Sequence, residues 1–382
     1  MNEFDHRMSK EKRKALKEFK ELVIDHPRLH LSQRETNAFF DARSGPAIAH
    51  LIGATHVGKT SLLHGIVHES VEREKIEKSL PMGAIPAIYY QLIAGERSFS
   101  WKTNFESFLL QQEDILVNHK VGYPEHGKGT FSKKDLGLIG RATEQSQRRA
   151  VVKYLSLKHV DILCLDEAAH LLHHGTGKTL DAQAAYLRSF VDSTEMKIIL
   201  CGSYDLYPLI GQSPQYSSRS GIIHFKNYDP SDKNDKQSFY EVLASFEEFL
   251  PFEEKKDTLT PFLSILLQNS VGCVGLLKKV LDKAVATAFF AGETRISERV
   301  LMESLQPKFM VEEALREVKK GREIMKDFFG DDSQGVPVIS KKPPSIPPPS
   351  KTQKKKNSNR KPGERNPKRD KVGMDNDPED SF

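Results

Sequence analysis

Gly53-Ala54-Thr55-His56-Val57-Gly58-Lys59-Thr60 fills every fixed position of the pattern G-x-x-x-x-G-K-[ST]. Its setting matters as much as its letters. Ala47 to Ile52 reads as a buried strand, and a helical pattern opens at about Lys59. Strand, glycine turn and helix make a loop whose backbone amides turn inward around a phosphate, with the positive end of the helix behind them. In such a loop Lys59 reaches the β- and γ-phosphates and the Thr60 hydroxyl ligates Mg2+, while Gly53, Ala54, Thr55, His56, Val57, Gly58 and Ser61 form the cradle. ATP and Mg2+ are the expected ligands.

Working outward, Val160-Asp161-Ile162-Leu163-Cys164-Leu165-Asp166-Glu167 is an apolar strand ending in two acids. By itself such a pair suits the start of a helix, where acids complement the dipole. Beside a phosphate loop it has a sharper meaning: Asp166 holds the Mg2+ shell, and Glu167 orients and deprotonates the attacking water. Lys197 to Cys201 is a third strand, followed by Gly202-Ser203-Tyr204-Asp205-Leu206. The Ser203 hydroxyl can contact the γ-phosphate or the nucleophilic water, or it can cap a turn. Arg219, in Ser217-Ser218-Arg219-Ser220, precedes the last strand, Ile222 to Phe225; alone it reads as a solvated surface residue.

Ile85 to Gln91 is a further strand, and helical stretches over about Trp101–Asn118, Arg141–Lys158 and Leu180–Ser193 fill the gaps. Strands without polar alternation, separated by helices, predict an α/β fold with a parallel sheet covered on both faces. From about Asp232 to Leu305 the pattern is helical throughout, with Gly272, Gly275 and Ser297 marking helix ends. Lys308 to Phe329 has helical periodicity through Met310, Val311, Leu315, Val318 and Met325, and Leu16, Phe19 and Val23 form a similar stripe near the N-terminus. Two motifs read as decoys. Gly175-Thr176-Gly177-Lys178-Thr179 resembles the end of a second phosphate loop, but position 172 is Leu and no strand leads into it. His170, His173 and His174 lack the HExxH order and a further ligand pair.

The chain has 382 residues, 38% of them hydrophobic, and a net charge of +5. That length supports two or three domains. No apolar run reaches the roughly 18 to 20 residues that span a bilayer, and the charged N-terminus lacks a secretory apolar region. Cys164, Cys201 and Cys273 are widely separated and match no metal spacing, so a reducing, cytoplasmic setting is expected. The charge is uneven. Residues 336–371 hold twelve Lys and Arg against Glu364 and Asp370; four more acids follow, so the tail nets +6 and the rest of the chain about −1. Rich in Pro, Lys, Ser and Asn, the tail cannot bury enough surface to offset ordering and is expected to be disordered.

The order phosphate loop, LDEAAHLL, polar loop, helix, IILCGSYDL and SSRSGIIHF resembles the TniB/TnsC family of AAA+ ATPases from bacterial transposons. The resemblance runs from about His26 to Leu305, and SVGCVGLLKKVLDKAVATA looks like the family's lid segment, whose helix start faces the nucleotide. It implies a division into an N-terminal helical segment (1–45), an AAA+ α/β nucleotide-binding domain (46–230), a small all-helical lid (231–305), a C-terminal helix (306–335) and the basic tail (336–382). Lys59 and Thr60 would be the Walker A pair, Asp166 and Glu167 the Walker B pair, Ser203 the sensor-1 position and Arg219 a trans-acting arginine finger. Two departures stand out. Ser203 replaces the more usual Thr, and Ser218 replaces one Arg of the usual pair. No Arg occupies the expected sensor-2 place, where Lys278 or Lys279 could substitute.

The resemblance further implies a bacterial, cytoplasmic regulator of DNA transposition that hydrolyses ATP. It would assemble as a homo-oligomeric ring or filament on double-stranded DNA, and link a target-selecting DNA-binding or guide-RNA protein to a transposase, with no membrane. The family's DNA contacts fall between the second strand and Walker B, where this chain carries Arg97, Lys102, Lys120, Lys128, Lys133 and Lys134 around Trp101 and Tyr123. Other readings stay open: a replication-initiator-like or helicase-loading ATPase, and a nucleotide-gated signalling switch acting on protein partners.

Overall fold

A computed structural model describes residues 9–41, 47–95, 98–112, 143–173, 180–194 and 196–329. In chain order the elements are α1 (Lys10–Glu21), α2 (Pro27–Asp41), β1 (Ile48–Gly53), α3 (Lys59–Glu77), β2 (Ala87–Gln91), α4 (Trp101–Gln111) and α5 (Glu144–Leu157). There follow β3 (Ile162–Asp166), α6 (Leu180–Thr194), β4 (Lys197–Gly202) and β5 (Ser220–Phe225). The last helices are α7 (Lys233–Glu248), α8 (Leu263–Asn269), α9 (Val274–Ala291), α10 (Glu298–Ser304) and α11 (Lys308–Phe329). Gln112 caps α4, and the part of its expected helix beyond that residue lies outside the described residues, as do the Gly175–Thr179 loop, His174 and the tail.

The strands form one parallel sheet in the order β2-β3-β4-β1-β5. Parallel strands need crossover helices, and those helices cover both faces. This is why β1 and β4 are buried almost end to end, with Ile48, Leu51, Ile52, Ile198, Ile199 and Leu200 at 0% exposure. Each such side chain contributes about 1.5–3 kcal/mol of transfer free energy. Because the chain leaves β1 and returns through the other strands on either side of it, the carboxyl ends of β1, β3 and β4 converge at a switch point, where α/β sheets bind ligands.

A second apolar cluster joins α7, α8, α9 and α10 through Phe239, Leu243, Leu277, Leu281, Val285 and Leu301. Helix α1 belongs to it, with Phe19 buried against Phe246, whereas α2 lies on β5. Pro27, which suits a first helical turn, starts α2 after a break. That break corrects the expected stripe: Val23 falls beyond α1 and is 61% exposed, while Ile24 is buried in its place. In α11 the expected stripe is likewise only half right. Val318 and Met325 are buried against the sheet domain, but Met310 and Leu315 are exposed, because the seated face runs through Val311, Ala314, Val318, Gly321 and Met325. No single helix among the described residues is long and apolar enough to cross a membrane.

Candidate nucleotide-binding site

The phosphate loop leaves β1 at Gly53, where a Cβ would stand 2.5 Å from the Phe225 carbonyl oxygen, so only glycine lets β5 lie this close. Val57 is buried and anchors the loop, and its N–H donates to Ala54 O. Gly58 has φ 122°, a region that side chains avoid, and serves as the N-cap of α3 without a capping side chain. The first amides of α3 are thus left for a bound anion. Lys59 Nζ donates to Gly53 O and Ala54 O, at 2.9 and 2.8 Å, and so spans the loop.

Asp166 is the polar centre. It is buried at the end of β3, and its Oδ2 accepts from the Thr60 hydroxyl at 2.7 Å and the Tyr89 hydroxyl at 3.1 Å. Its other oxygen accepts from the Glu167 N–H at 2.8 Å. A hydroxyl and a carboxylate this close are the donor set a hard divalent cation takes, so Thr60 and Asp166 fit Mg2+. Tyr89 stays protonated: burial first, then the adjacent Asp166 carboxylate, push its pKa up. Glu167 is exposed and has φ 54°, a left-handed conformation uncommon for a side-chain-bearing residue. Such strain gathers at functional sites, and here it turns the Glu167 side chain out of the strand direction into the cleft.

A cavity of about 320 Å3 is lined by Thr55, His56, Gly58, Lys59, Thr60, Ser61, Asp166, Glu167, Gly202, Ser203 and Gly275. Gly53, Ala54 and Val57 lie behind it, buried. Ser203 lines the cavity and caps the turn at Tyr204–Leu206, accepting from the Asp205 N–H. The lid closes one wall. Gly275 N–H donates to His56 O at 2.8 Å, and a Cβ at 275 would stand 2.4 Å from that oxygen. Lys279 Nζ lies 2.8 Å from His56 Nε2; burial, then Lys279 and Lys59, lower the His56 pKa. Lys278 points elsewhere, pairing with Asp282 over the Phe19 ring. Of the two sensor-2 substitutes, Lys279 is the one at the loop.

Arg219 lies at the other end of the sheet. It immediately precedes β5, and its carbonyl accepts from the Ile48 N–H at the start of β1, whereas the loop follows Gly53 at the end of β1, opposite Phe225. The six-residue step along β5 separates them by about 20 Å. Its guanidinium is ion-paired with Asp192 of α6. Trp101, named with the candidate DNA contacts, is buried, stacked on Phe105 and Tyr186 with its indole N–H donating to Gln183, and so is unavailable to a base. Arg97, Lys120, Tyr123, Lys128, Lys133 and Lys134 lie outside the described residues. Tyr89 carries no functional signal in the sequence, because it acts through Asp166 on the neighbouring strand.

Residues 42–210 match the family described as AAA domain. No curated protein matches the chain. Among solved structures, the ORC2 protein of Aeropyrum pernix in its ADP form is 15% identical with a TM-score of 0.52, covering 76% of this chain and 71% of that one. The same protein in ADPNP and ADP complexes is 15% identical with a TM-score of 0.50, covering 75% and 70%. Both likenesses cover a larger share of the chain than the matched family segment. With its five-stranded parallel sheet, phosphate loop and flanking helices, the chain carries an AAA-type P-loop ATPase domain.

Proposed function

We propose that this protein is an ATP-dependent regulator of DNA transposition, acting in the bacterial cytoplasm. It binds and hydrolyses Mg-ATP, assembles as a ring or filament on double-stranded DNA, and links a target-selecting protein to a transposase. The observation that carries the oligomeric part of this reading is the position of Arg219. An exposed arginine about 20 Å from its own phosphate loop cannot serve that loop, but it is free to enter a neighbour's.

The residues divide the work as follows. Loop amides and Lys59 hold the phosphates, and Thr60 with Asp166 would hold Mg2+, which would supply positive charge to offset that of the phosphates. Tyr89 fixes Asp166 from the neighbouring strand. Glu167 takes the proton of the attacking water. Arg219 of an adjacent subunit stabilises the charge on the transferred γ-phosphoryl in the transition state, an effect worth about 10³–10⁵ in rate in related phosphoryl-transfer enzymes. Loss of the γ-phosphate then removes a contact from every subunit interface, and the assembly comes apart. The resemblance carried by LDEAAHLL, GSYDL and SSRSG supports transposition as the setting. The twelve basic residues of 336–371 supply sequence-independent attraction to DNA.

A mixing experiment tests the shared site. Glu167→Gln subunits keep Arg219, and Arg219→Ala subunits keep Glu167; each is inactive alone, and mixing them restores hydrolysis. No recovery on mixing contradicts the trans assignment. A second reading, a replication-initiator-like ATPase, draws support from the likeness to ORC2. It predicts ATP-dependent DNA binding that recruits no transposase.

A further inference from the structure

Helix α11 reaches back over the sheet domain and places a carboxylate on the phosphate loop. Glu317 Oε1 accepts from the Thr55 backbone N–H and from the Thr55 hydroxyl, both at 2.9 Å. Thr55 lines the same cavity as Lys59, Thr60 and Glu167. The contact is held in place from both sides. Val318 is buried beneath it, and Gly321 lies so close to the Tyr204 ring that a Cβ there would come within 2.2 Å. Lys320 pairs with Asp205 and Arg322 with Asp229, while Phe328 meets Tyr207 edge-on. Glu317 also belongs to the charges around the lid junction: burial, then Glu317, push the Cys273 thiol up to about 12, with Lys59 and Arg322 acting the other way.

A phosphate-loop amide is a donor oriented for an anion. In this structure one such amide is satisfied by a side-chain anion instead, drawn from a residue 262 positions away. Glu317 and a nucleotide therefore cannot approach this part of the cavity independently. Thr55 faces the cavity with Glu167 and Ser203, at the strand ends where the terminal phosphate must lie for a water to attack it. ATP brings a further phosphate to that end, and ADP does not.

We propose that Glu317 is the residue by which the protein distinguishes ATP from ADP: its carboxylate remains on Thr55 when ADP is bound and is displaced by the γ-phosphate, which frees the middle of α11 from the loop. The inference rests on the nucleotide-site reading above and adds a structural response to it. In the sequence the basic stretch 336–371 begins seven positions after the end of α11.

The test uses the full chain with Mg2+ and either ADP or a non-hydrolysable ATP analogue, measuring affinity by calorimetry and amide hydrogen exchange across 308–329. Wild-type α11 exchanges faster with the analogue than with ADP. Glu317→Gln keeps an acceptor but loses the charge; it tightens the analogue about tenfold, leaves ADP within twofold, and abolishes the difference in exchange. Glu317→Ala, which has no acceptor, tightens the analogue similarly and raises exchange with both nucleotides. Equal effects of Glu317→Gln on the two affinities, or identical wild-type exchange with both nucleotides, overturn the proposal. Nucleotide binding that needs Lys59 but ignores Glu317 overturns this inference alone; no nucleotide binding by the wild type overturns the site reading as well.

Discussion

Arg219 Nη1 lies 2.7 Å from both carboxylate oxygens of Asp192, and both side chains are nearly half exposed. An exposed pair of this kind contributes at most about 1 kcal/mol, little enough for a neighbour's phosphate to replace it. On the proposed trans role, Asp192 holds the arginine in the isolated subunit. Replacing Asp192 with Asn leaves the fold unchanged and lowers the protein concentration at which hydrolysis is half-maximal, whereas Arg219→Ala lowers the maximal rate by at least about 10³-fold. Steady-state hydrolysis against protein concentration measures both. An Arg219→Ala enzyme with wild-type turnover removes the residue from the mechanism.

Glu167→Gln preserves ATP binding and lowers hydrolysis by about 10² to 10⁴-fold, the usual contribution of a general base. The amide still fits the exposed, left-handed position, so the fold is retained. Equilibrium binding of labelled ATP and single-turnover hydrolysis separate the two effects. Wild-type hydrolysis by this variant assigns the proton to another group.

Gly275→Ala forces the lid away from the phosphate loop, because its Cβ cannot share space with His56 O. Overpacking of this kind costs about 1–3 kcal/mol. The expected result is nucleotide affinity weakened by roughly tenfold, measured by calorimetry, with the thermal transition of the unliganded protein lowered by a few degrees. Unaltered affinity places lid closure outside the binding step.

His26 and His50 make the fold sensitive to acid. Burial lowers His26 to about 4, with His30 adding to the effect, and burial lowers His50 to about 3. Below their ordinary value of 6.5 the unfolded chain takes up protons that the folded chain refuses, so stability is full above pH 6.5 and declines on acidification. By pH 4 the loss from His26 is about 3 kcal/mol, and His50 adds a similar amount. Urea unfolding from pH 7 to 4 measures it. His26→Gln, which can still bond to the Tyr228 hydroxyl, has a shallower pH slope; stability that is flat across this window contradicts the account.

Much of the fold is legible in the sequence. Continuous apolar strands ending in Gly53, Asp166 and Gly202 announce a parallel sheet whose carboxyl ends carry polar residues, and the sheet has that form. What escaped were contacts made between elements. Tyr89 reads as one more strand residue, and its bond to Asp166 exists because β2 lies beside β3. Gly275 and Glu317 reach the phosphate loop only after the lid and α11 fold back on the sheet domain. Trp101 lies in the stretch expected to contact DNA, but its neighbours Phe105 and Tyr186 draw it into the core. Periodicity likewise located α11 without finding its buried face, since Gly321, which has no side chain to count, is what lets the helix rest on Tyr204.

The central claim is that ATP drives assembly on DNA. Negative-stain imaging of the purified protein with a non-hydrolysable ATP analogue, with and without duplex DNA, tests it most directly. The account predicts rings or filaments that require both ligands and are absent in Lys59→Ala. Particles that remain unassembled with analogue and DNA together contradict it.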